Sequence, residues 1–468
     1  MEQRLKLKSD MTQRSRRRIC YGRNSPPLLA ERSVAAGDAV NLTSGRRWRY
    51  YTLLECGSKA SSNFSIPRLC LLFKEKVKGN RIFFARSKDG VNFQLQTTRK
   101  RRWLPLFEGT KLGEKDVDEG LIAHNFAAVR LPSVVAGSLP SYAMAGGQQR
   151  IWQTSPSSST TSRQPSGIRF ARGTGWPWRK DSWSEPSVVI ARQRPIGCIE
   201  RRPRRALMMG APAGNVDIAN GLATWSLPMT CEFDGRLSLV YFGGAFRLFA
   251  RANLYENSLT GGRFVQSTTS VDGRMWTPWQ PLSFRRMPAG VADLYFFVAQ
   301  INPVLPSTLM AIFPISQPPD ACIALAFSKD GLDWTEPYVL QRSTLGWRTR
   351  FSEGSGQIEW RNEDHPVAGA FLSQTTREVW FYIHHAVSGM SMRAGSDAKP
   401  EVVRYKLAES RLLRLAQKLL GRLGGTAGAA RLGTSDCGTI GINCSIARAA
   451  RAIARRAIAT TVVDVDKW

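Results

Sequence analysis

The sequence predicts an all-β protein built as a five-bladed β-propeller. Short segments alternate apolar and polar residues, glycine-containing turns separate them, and the grouping of segments recurs along the chain. The recurring groups start at Asn63, Asn125, Asp234, Asn302 and Asp364, which lie 62, 109, 68 and 62 residues apart. Periods in this range are typical of propellers, whose blades are four-stranded sheets arranged around a channel.

The third group shows the pattern most clearly. Its first strand is predicted over Leu237–Phe242, Gly243-Gly244 forms a tight turn, and a second strand follows over Ala245–Asn253. A third strand is predicted over Arg263–Ser270, and Val271-Asp272-Gly273 then turns the chain. Two other groups end their third strand alike, because SKDGVNF and SKDGLDW match SVDGRMW in the spacing of Ser, Asp, Gly and the aromatic residue.

The remaining groups carry predicted strands in the same order. These are Cys70–Phe73 and Arg81–Ser87 in the first group, His124–Val129, Ser141–Gly147 and Gly167–Ala171 in the second, Leu294–Val304, Leu309–Phe313 and Cys322–Ser328 in the fourth, and Glu378–His384 and Val402–Leu407 in the fifth. The long interval after the second start holds a Ser/Thr-rich insertion, residues 154–166, and a basic stretch, residues 198–205. We therefore count five blades rather than six.

Extensions flank the repeat at both ends. Residues 1–48 are basic, rich in Ser and Arg and aperiodic, and we interpret them as a disordered, largely irregular arm before a propeller over residues 49–410. Residues 408–422 carry leucines at helical spacing and predict a helix. Residues 411–468 form a basic tail rich in Ala, Gly and Arg, which is predicted to be helical or disordered.

The chain is strongly basic, with a formal net charge of +30 over 468 residues. Such an excess suits an acidic partner such as nucleic acid, an anionic glycan or a membrane surface. The basic runs lie outside the blades and lack interleaved aromatic residues, so we expect no nucleic-acid partner. No apolar run reaches the roughly 20 residues of a membrane-spanning helix. We expect a monomer without a transmembrane segment.

Cysteine and histidine usage limits the metal and disulfide chemistry. The eight cysteines are scattered without a CxxC pair, and the chain has only four histidines, so a zinc cluster is not expected. The scatter also argues against a dense disulfide framework, whereas one or two disulfides remain open.

The group starts, with Asp or Asn before Pro and a β-branched residue or before an apolar strand, resemble those of the five-bladed glycoside hydrolases. That superfamily includes the arabinanase/xylosidase, invertase/levansucrase and mannoside-phosphorylase types. Glu232-Phe233-Asp234-Gly235-Arg236 is similar to the Glu-Asp-Pro-Arg segment of some members, with one residue inserted and Pro missing. The resemblance covers residues 50–410. It implies a carbohydrate substrate or ligand, no organic cofactor and, in some relatives, a structural calcium ion in the channel.

Carboxylates at the group starts are candidates for catalysis. Glycoside hydrolysis needs two carboxyl groups across the scissile bond, one acid and one base or nucleophile. In a propeller the first residues of the innermost strands converge on the channel mouth, and two of the five starts are Asp234 and Asp364. We predict that these two act as base or nucleophile and as transition-state stabiliser. Glu232 shares a face with Asp234 in an extended segment and is the predicted general acid, with Glu200 as a second candidate.

Further polar residues near the mouth are predicted to contact substrate. Amide, imidazole and guanidinium groups can donate hydrogen bonds to sugar hydroxyls, although Arg251 could instead clamp a carboxylate of the core. The predicted substrate-binding residues are Asn63, His124, Asn125, Arg251, Asn302 and His365. The resemblance departs at Asn63, where arabinanase-type enzymes have a catalytic Asp. Tryptophans after the Asp-Gly turns are predicted to pack between blades: Trp276, Trp279 and Trp334.

Two other functions remain open. A non-catalytic propeller that binds a glycan or a protein at the same mouth is favoured by Asn at three of the five starts. A six-bladed sialidase-like enzyme would need a Tyr nucleophile with an acidic partner and an Arg cluster, for which Tyr382 and Arg404 are available. SKDGLDW is similar to the sialidase Asp-box, but it is one residue shorter between Asp and the aromatic residue.

Overall fold

A computed structural model of the chain describes residues 20, 27–29, 38–42, 48–56, 69–75, 82–95, 126–132, 141–146, 169–174, 187–188, 236–253, 263–286, 293–294, 296–317, 319–352, 355–387 and 400–424. Within these ranges the chain forms strands β1–β27 and a helix, α1. The strands group into five blades that follow one another along the sequence. The predicted all-β, five-bladed fold is therefore confirmed.

The first three blades are antiparallel sheets whose strands follow the chain in order. Two short strands precede them, β1 (Asp38–Ala39) and β2 (Asn41–Leu42). Blade one consists of β3 (Trp48–Glu55), β4 (Leu69–Glu75), β5 (Ile82–Ser87) and β6 (Asn92–Leu95). Blade two consists of β7 (Ala127–Arg130), β8 (Ser141–Gly146), β9 (Arg169–Thr174) and β10 (Ser187–Val188). Blade three consists of β11 (Ser238–Phe242), β12 (Ala245–Asn253), β13 (Arg263–Ser270) and β14 (Gln280–Pro281).

The last two blades contain additional short strands. The joining strands β15 (Ser283–Phe284), β16 (Asp293–Leu294) and β20 (Asp333–Trp334) link blades three and four into one sheet. Blade four consists of β17 (Val298–Ile301), β18 (Leu309–Gln317), β19 (Asp320–Ser328) and β21 (Tyr338–Ser343). A hairpin of β22 (Leu345–Ser352) and β23 (Ser355–Asn362) leads onward. Blade five consists of β24 (His365–Pro366), β25 (Phe371–Ser373), β26 (Glu378–His385) and β27 (Glu401–Ala408).

The innermost strands form a closed ring of five members. Strand β3 neighbours β7, β7 neighbours β11, and β11 neighbours β17. Gln300 on β17 donates from Nε2 to the carbonyl of Ala370 in blade five at 3.1 Å. The backbone N–H of Leu53 on β3 donates to the carbonyl of Ala368, which returns the ring to blade one. Because the ring closes with five blades, the six-bladed alternative is wrong.

The chain's beginning completes the last blade. Strand β1 pairs antiparallel with β27, opposite Arg404 and Val403, and it forms the outermost strand of blade five. Strand β2 pairs in parallel with β6 of blade one. The sequence assigned residues 38–42 to an irregular arm, and the structure instead gives them two strands of the propeller. Two-residue strands paired with segments distant in sequence leave no local periodicity, which is why the pattern did not reveal them.

The core lies between blades rather than within them. Among the described residues, five clusters of buried side chains occur, one at each contact between neighbouring blades. Apolar faces of adjacent twisted sheets thereby cover each other, as a propeller requires. Representative pairs, from the contact of blades one and two round to that of blades five and one, are Leu72 with Met144, Phe170 with Phe246, Phe249 with Phe297, Leu325 with Phe381, and Trp380 with Phe73.

Helix α1 (Glu409–Gly424) packs on the contact between blades four and five. Leu412, Leu419 and Leu420 are buried there, and Leu28 from the chain's beginning joins the same cluster. The backbone N–H of Leu28 donates to the carbonyl of Val339 on β21 at 3.0 Å. The predicted helix after the propeller is confirmed, and its leucine spacing is explained by this buried face.

Three turns of equal geometry close the third strands of blades one, three and four; we call residues 87–93, 270–276 and 328–334 the box turns. In the last, Gly331 N–H donates to Oγ of Ser328 at 2.7 Å, and Leu332 N–H donates to Oδ1 of Asp330 at 2.8 Å. Trp334 Nε1–H donates to the Gly331 carbonyl at 3.2 Å. The bonds to the Ser hydroxyl and to the Asp carboxylate recur in the other two turns. The bond to the Gly carbonyl recurs in blade three, from Trp276 Nε1–H at 3.1 Å, whereas blade one has Phe93 at this position.

Each box turn presses its glycine against the preceding blade. These glycines have φ between 74° and 77°, a conformation that favours glycine, and a Cβ on any of them would lie within 2.6 Å of a neighbouring side chain. The contacts are Gly90 with Tyr382 of blade five, Gly273 with Phe170 of blade two, and Gly331 with Arg247 of blade three.

Two disulfides are present among the described cysteines, within the number that the sequence left open. Cys20 pairs with Cys322 on β19, and Cys56 pairs with Cys70 at the start of β4. The first tethers the chain's beginning to blade four across a sequence separation of 302 residues. No helix in the described part of the chain is long and apolar enough to cross a membrane.

Candidate functional site

One end of the channel is defined by the first residues of the innermost strands; we call this end the mouth. Ser238 at the start of β11 exchanges two hydrogen bonds of 2.9 Å with the backbone of Ala299, near the start of β17. Phe296, just before β17, meets the imidazole of His365 edge-on, with 4.4 Å between ring centroids. Because His365 begins β24, blades three, four and five bring their starts to the same end.

Asp364 directly precedes β24 at the mouth, and its side chain is only 10% exposed. Its Oδ2 accepts a hydrogen bond from Oγ of Ser343 at 2.7 Å and lies 3.1 Å from Nδ1 of His385. Its Oδ1 accepts from the backbone N–H of Ala386 at 3.2 Å. Three donors from two blades therefore orient this carboxylate, which can accept a proton or stabilise positive charge.

The surrounding groups extend this arrangement into what we call the Asp364 cluster: Gln341, Ser343, Asn362, Asp364, His385 and Tyr405. Nε2 of His385 lies 2.9 Å from the Tyr405 hydroxyl, which also accepts from Nε2 of Gln341 at 2.9 Å. Asn362 donates to the Cys322 carbonyl at 2.9 Å. Burial raises the pKa of Tyr405, against the opposing effect of the Gln341 hydrogen bond, and the phenol therefore keeps its proton at neutral pH.

The Asp364 cluster joins strands that sequence reasoning treated separately. Gln341 and Ser343 come from β21 of blade four, whereas His385 and Tyr405 come from β26 and β27 of blade five. Only Asp364 was predicted from the sequence. The β26–β27 register pairs His385 with Glu401 and Tyr405 with Phe381, so the two side chains meet along adjacent strands rather than directly opposite each other. A single sequence gives no local pattern that reveals such a contact.

His365 is predicted to bind substrate and is 5% exposed. Its backbone pairs with His384 on β26, and its ring contacts Phe296. The structure thus brings it to the mouth next to Asp364, with an apolar ring against one of its edges. A substrate contact by this imidazole remains a prediction.

Two arginines lie at the same end of blade three. Arg236, just before β11, is 4% exposed, and its Nη2 donates to Oγ1 of Thr52 on β3 at 2.5 Å. Blades three and one are not neighbours in the ring, so this guanidinium reaches across the channel. Arg251, predicted to bind substrate, is half-buried at the mouth end of β12, and its carbonyl accepts from Gln266 Nε2 at 3.2 Å. The sequence indicated Arg236 only as the last residue of the Glu232–Arg236 segment.

Asn302 does not lie at the mouth, where the sequence predicted it. Asn302 follows the last residue of β17 and is fully buried, so it lies at the end of the innermost strand opposite the mouth. Its Nδ2 donates to Oγ1 of Thr308 at 3.1 Å, and its Oδ1 accepts from Val304 N–H at 3.2 Å. It stabilises the β17–β18 turn. The Asn-Pro pair resembled the other group starts, whereas blade four begins before Val298.

Several predicted residues lie outside the described residues. These are the carboxylates Glu200, Glu232 and Asp234 and the polar residues Asn63, His124 and Asn125. Their proposed roles remain predictions, except that Asn63 does not start blade one: it follows β3, the innermost strand of that blade, in the sequence. Arg236, two residues after Asp234, is the nearest described residue to that segment, and it lies at the mouth.

The residues available for a sialidase-like site join blades to one another. The Tyr382 hydroxyl donates to the Gly90 carbonyl at 2.9 Å, and Arg404 donates to the Asp89 carbonyl. Arg404 also stacks over Trp380, 4.5 Å from the ring centroid. These contacts fasten the box turn of blade one to blade five.

The three tryptophans at or just after the box turns are packing residues, as predicted. Trp276, Trp279 and Trp334 are all buried, and Trp334 lies 4.8 Å from the ring of Phe297 in an edge-on arrangement. Their faces are therefore covered by protein. Within the described ranges, no group of three or more His, Cys, Asp or Glu side chains is arranged to hold a metal ion. The channel calcium that the resemblance implies remains an expectation.

Neither a protein-family model nor a curated protein matches the sequence. The chain is similar in structure to an α-L-arabinofuranosidase of Fusarium graminearum in complex with arabinobiose, at 11% identity and a TM-score of 0.39, covering 81% of this chain and 98% of that one. The chain is also similar to an α-L-arabinanase of Penicillium chrysogenum, at 11% identity and a TM-score of 0.37, covering 81% of this chain and 99% of that one. For an N-acetylgalactosamine deacetylase from F. plautii the identity is 12% and the TM-score 0.38, with 83% of this chain and 98% of that one covered.

These similarities concern the fold, and the closed ring of five blades carries the structural conclusion independently of them. The chain has the five-bladed propeller fold that the resemblance to glycoside hydrolases implies. At such identities and TM-scores, the choice of function depends on the residues of this chain.

Proposed function

We propose that the protein acts on an oligosaccharide or polysaccharide and cleaves or transfers a glycosidic bond with carboxylates at the channel mouth. The observation that carries this proposal is the placement of Asp364 at the start of the innermost strand of blade five, beside His365. Three donors orient its carboxylate, which suits a group that must hold one position through a reaction.

Two further carboxylates complete the proposed mechanism. Asp234 and Asp364 divide the roles of base or nucleophile and of transition-state stabiliser, and Glu232 protonates the leaving oxygen. Support for this comes from Arg236, which follows Asp234 by two residues and reaches across the channel from blade three. The first described residue after the segment that contains Glu232 and Asp234 therefore lies at the mouth.

Substrate recognition is proposed for polar groups at the same end. Arg251 and His365 lie at this end, and His124 and Asn125 shortly precede β7, the innermost strand of blade two. Guanidinium and imidazole groups donate hydrogen bonds to sugar hydroxyls or to a sugar carboxylate. The ligand is accordingly a carbohydrate, and the buried tryptophans of the box turns take no part in stacking on it.

A second candidate is a propeller that binds a glycan or a protein without catalysis. One observation favours it: both oxygens of Asp364 already accept hydrogen bonds within the protein, as they would in a structural link between blades. This candidate uses the same mouth and differs from the first only in turnover.

The test is hydrolysis of a panel of aryl glycosides and of plant, algal and fructan polysaccharides by the full chain. Wild type is compared with Asp364→Asn, Asp234→Asn and Glu232→Gln. Glu378→Gln serves as the matched control, because it alters a carboxylate of the same blade at the end opposite the mouth. Removal of a general acid or base is expected to lower kcat about 10²–10⁴-fold.

Turnover that is lost in the three mouth variants and kept in Glu378→Gln would support the proposal. Turnover that survives Asp364→Asn unchanged would refute the role given to that residue. Absence of turnover on every substrate, together with glycan binding by wild type, would favour the second candidate.

A further inference from the structure

One hydrogen-bond acceptor in the Asp364 cluster has no donor among the described residues. Oε1 of Gln341 is buried and accepts no hydrogen bond from any described residue, although Nε2 of the same amide donates to Tyr405. Burying a carbonyl oxygen without a hydrogen-bond donor is unfavourable. It stands at one end of a chain of contacts that runs through Tyr405 and His385 to Asp364.

The proton positions along this chain follow from its two ends. Asp364 offers only acceptor oxygens, so Nδ1 of His385 must carry a proton and donate to it. Gln341 donates to the Tyr405 oxygen, so the phenol proton points to Nε2 of His385. In this first arrangement the imidazole is neutral, and every member except Oε1 of Gln341 is satisfied.

A second arrangement becomes available when the imidazole takes up one proton. Nε2–H of His385 then donates to the Tyr405 oxygen, and the phenol proton turns toward Gln341. A flip of the Gln341 amide presents Oε1 to that proton, so that the acceptor unused in the first arrangement is used, and it turns Nε2 to the position that Oε1 held. The orientation of an amide is assigned from its hydrogen bonds, and both orientations fit the same heavy-atom positions.

We propose that Gln341, Tyr405, His385 and Asp364 form a hydrogen-bond relay with two arrangements, in which His385 takes up one proton from solvent and positions the Asp364 carboxylate in both. The two arrangements follow from the contacts alone. The consequence for catalysis, that the charge of His385 sets how readily the Asp364 carboxylate accepts a proton from substrate, rests on the proposed function. His385 is a positioning residue in this scheme, because it acts through Asp364.

The groups facing His385 are compatible with a stored proton. On the strands of blade five these are Asp364 and Glu401, together with Tyr405, which stays protonated. Strand β21 of blade four contributes the uncharged Gln341 and Ser343, while Arg342 between them is exposed. The imidazolium would thus lie among acidic and neutral groups.

The relay can be tested on the full chain without a substrate. The protein has four histidines, so ¹⁵N-histidine labelling gives few side-chain signals, and His385→Gln identifies the pair that belongs to His385. Wild type is expected to show a proton on Nδ1 alone at high pH and on both nitrogens at low pH. Gln341→Met and Tyr405→Phe remove the partner that the protonated arrangement needs, and they should lower the titration midpoint of this ring by 0.5 pH unit or more, on the order of a 1 kcal/mol loss of preference.

Two controls distinguish an effect on the relay from a general loss of packing in the variants. Tyr241→Phe removes a phenol from blade three, next to Phe246, and should leave the midpoint unchanged. The signals of His384, which contacts Tyr51, should stay constant in every variant. A His385 ring that keeps one protonation state from pH 4 to pH 9, or a midpoint that Gln341→Met and Tyr405→Phe do not move, would overturn the relay.

Activity then tests its catalytic consequence. On any substrate that wild type hydrolyses, the acidic limb of the kcat/KM profile should shift in Gln341→Met by the same amount as the NMR midpoint. An NMR shift without a matching kinetic shift would show that the relay exists and does not serve Asp364. Failure of hydrolysis in wild type leaves the NMR result intact, so the relay and the proposed function fail separately.

Discussion

Aspartates of the box turns show how one residue fixes a connection between strands. Oδ1 of Asp89 accepts hydrogen bonds from the backbone of Val91 and Asn92, each at 2.8 Å, and from Oγ of Ser87 at 2.8 Å. Partial burial acts to raise the pKa of Asp89, but hydrogen bonds from Asn92, Val91 and Ser87 outweigh it and hold the pKa well below its ordinary value.

This lowered pKa predicts a pH-dependent stability. A carboxyl group whose pKa is lower in the folded state stabilises the fold above its unfolded pKa, about 3.9, and loses that effect as the pH falls toward the folded pKa. Asp89→Asn should therefore reduce the free energy of unfolding by about 1 kcal/mol at pH 7, given its solvent exposure, and by less at pH 3. Urea denaturation at both pH values measures this, and an equal difference at the two would contradict it.

At the scale of elements, the box turns act as spacers between blades. Gly273 has φ 75°, and a Cβ there would lie 2.1 Å from Cε1 of Phe170 on the neighbouring blade. Gly244 has φ 81°, but a Cβ there would meet no atom within 4 Å. The two positions therefore separate the cost of the backbone conformation from the cost of the contact between blades.

We expect Gly273→Ala to destabilise the protein by about 2–5 kcal/mol, the sum of a left-handed backbone cost and an overpacking cost. Gly244→Ala should cost only the backbone part, about 1–2 kcal/mol. Thermal or chemical unfolding of the two variants measures the difference. Equal losses in both would mean that the turn of blade three does not support its contact with blade two.

Elements with a strong local pattern could be predicted closely from the sequence. The predicted strands over 245–253 and 263–270 coincide with β12 and β13, because alternation and flanking glycines are local properties. Asn302 was assigned to the wrong end of its strand, since an Asn-Pro pair fits a turn on either side of a short strand. His385 and Tyr405 could not be found, because they lie on different strands and their side chains meet only when β26 and β27 pair.

At the scale of the whole molecule, the chain's beginning holds the ring closed. Strand β1 is the outermost strand of blade five, Leu28 lies along β21 of blade four, and Cys20 is bonded to Cys322. Residues from the first tenth of the sequence thus bind the last two blades. No periodic pattern in the sequence predicts this closure, because its pairings join segments some 300 residues apart.

The two disulfides should differ in what they contribute to stability. A cross-link restricts the unfolded chain more when it closes a longer loop, by about 3 kcal/mol for 15 residues and about 5 kcal/mol for 100 or more. The sequence separations here are 302 and 14 residues. The double variant of Cys20 and Cys322 to Ser should therefore unfold at lower denaturant than that of Cys56 and Cys70. The reverse order would mean that native contacts of the shorter loop dominate.

The central claim is that the mouth of this propeller is a carbohydrate site containing Asp364. The most direct measurement is a crystal structure of the Asp364→Asn protein with an oligosaccharide to which the wild type binds or on which it acts. We expect the sugar at the mouth, with a hydroxyl or the glycosidic oxygen within hydrogen-bond distance of residue 364 and with Arg251 or His365 in contact. A sugar bound at the opposite end of the channel, beside Asn302, or on the outer surface of a blade would contradict the claim.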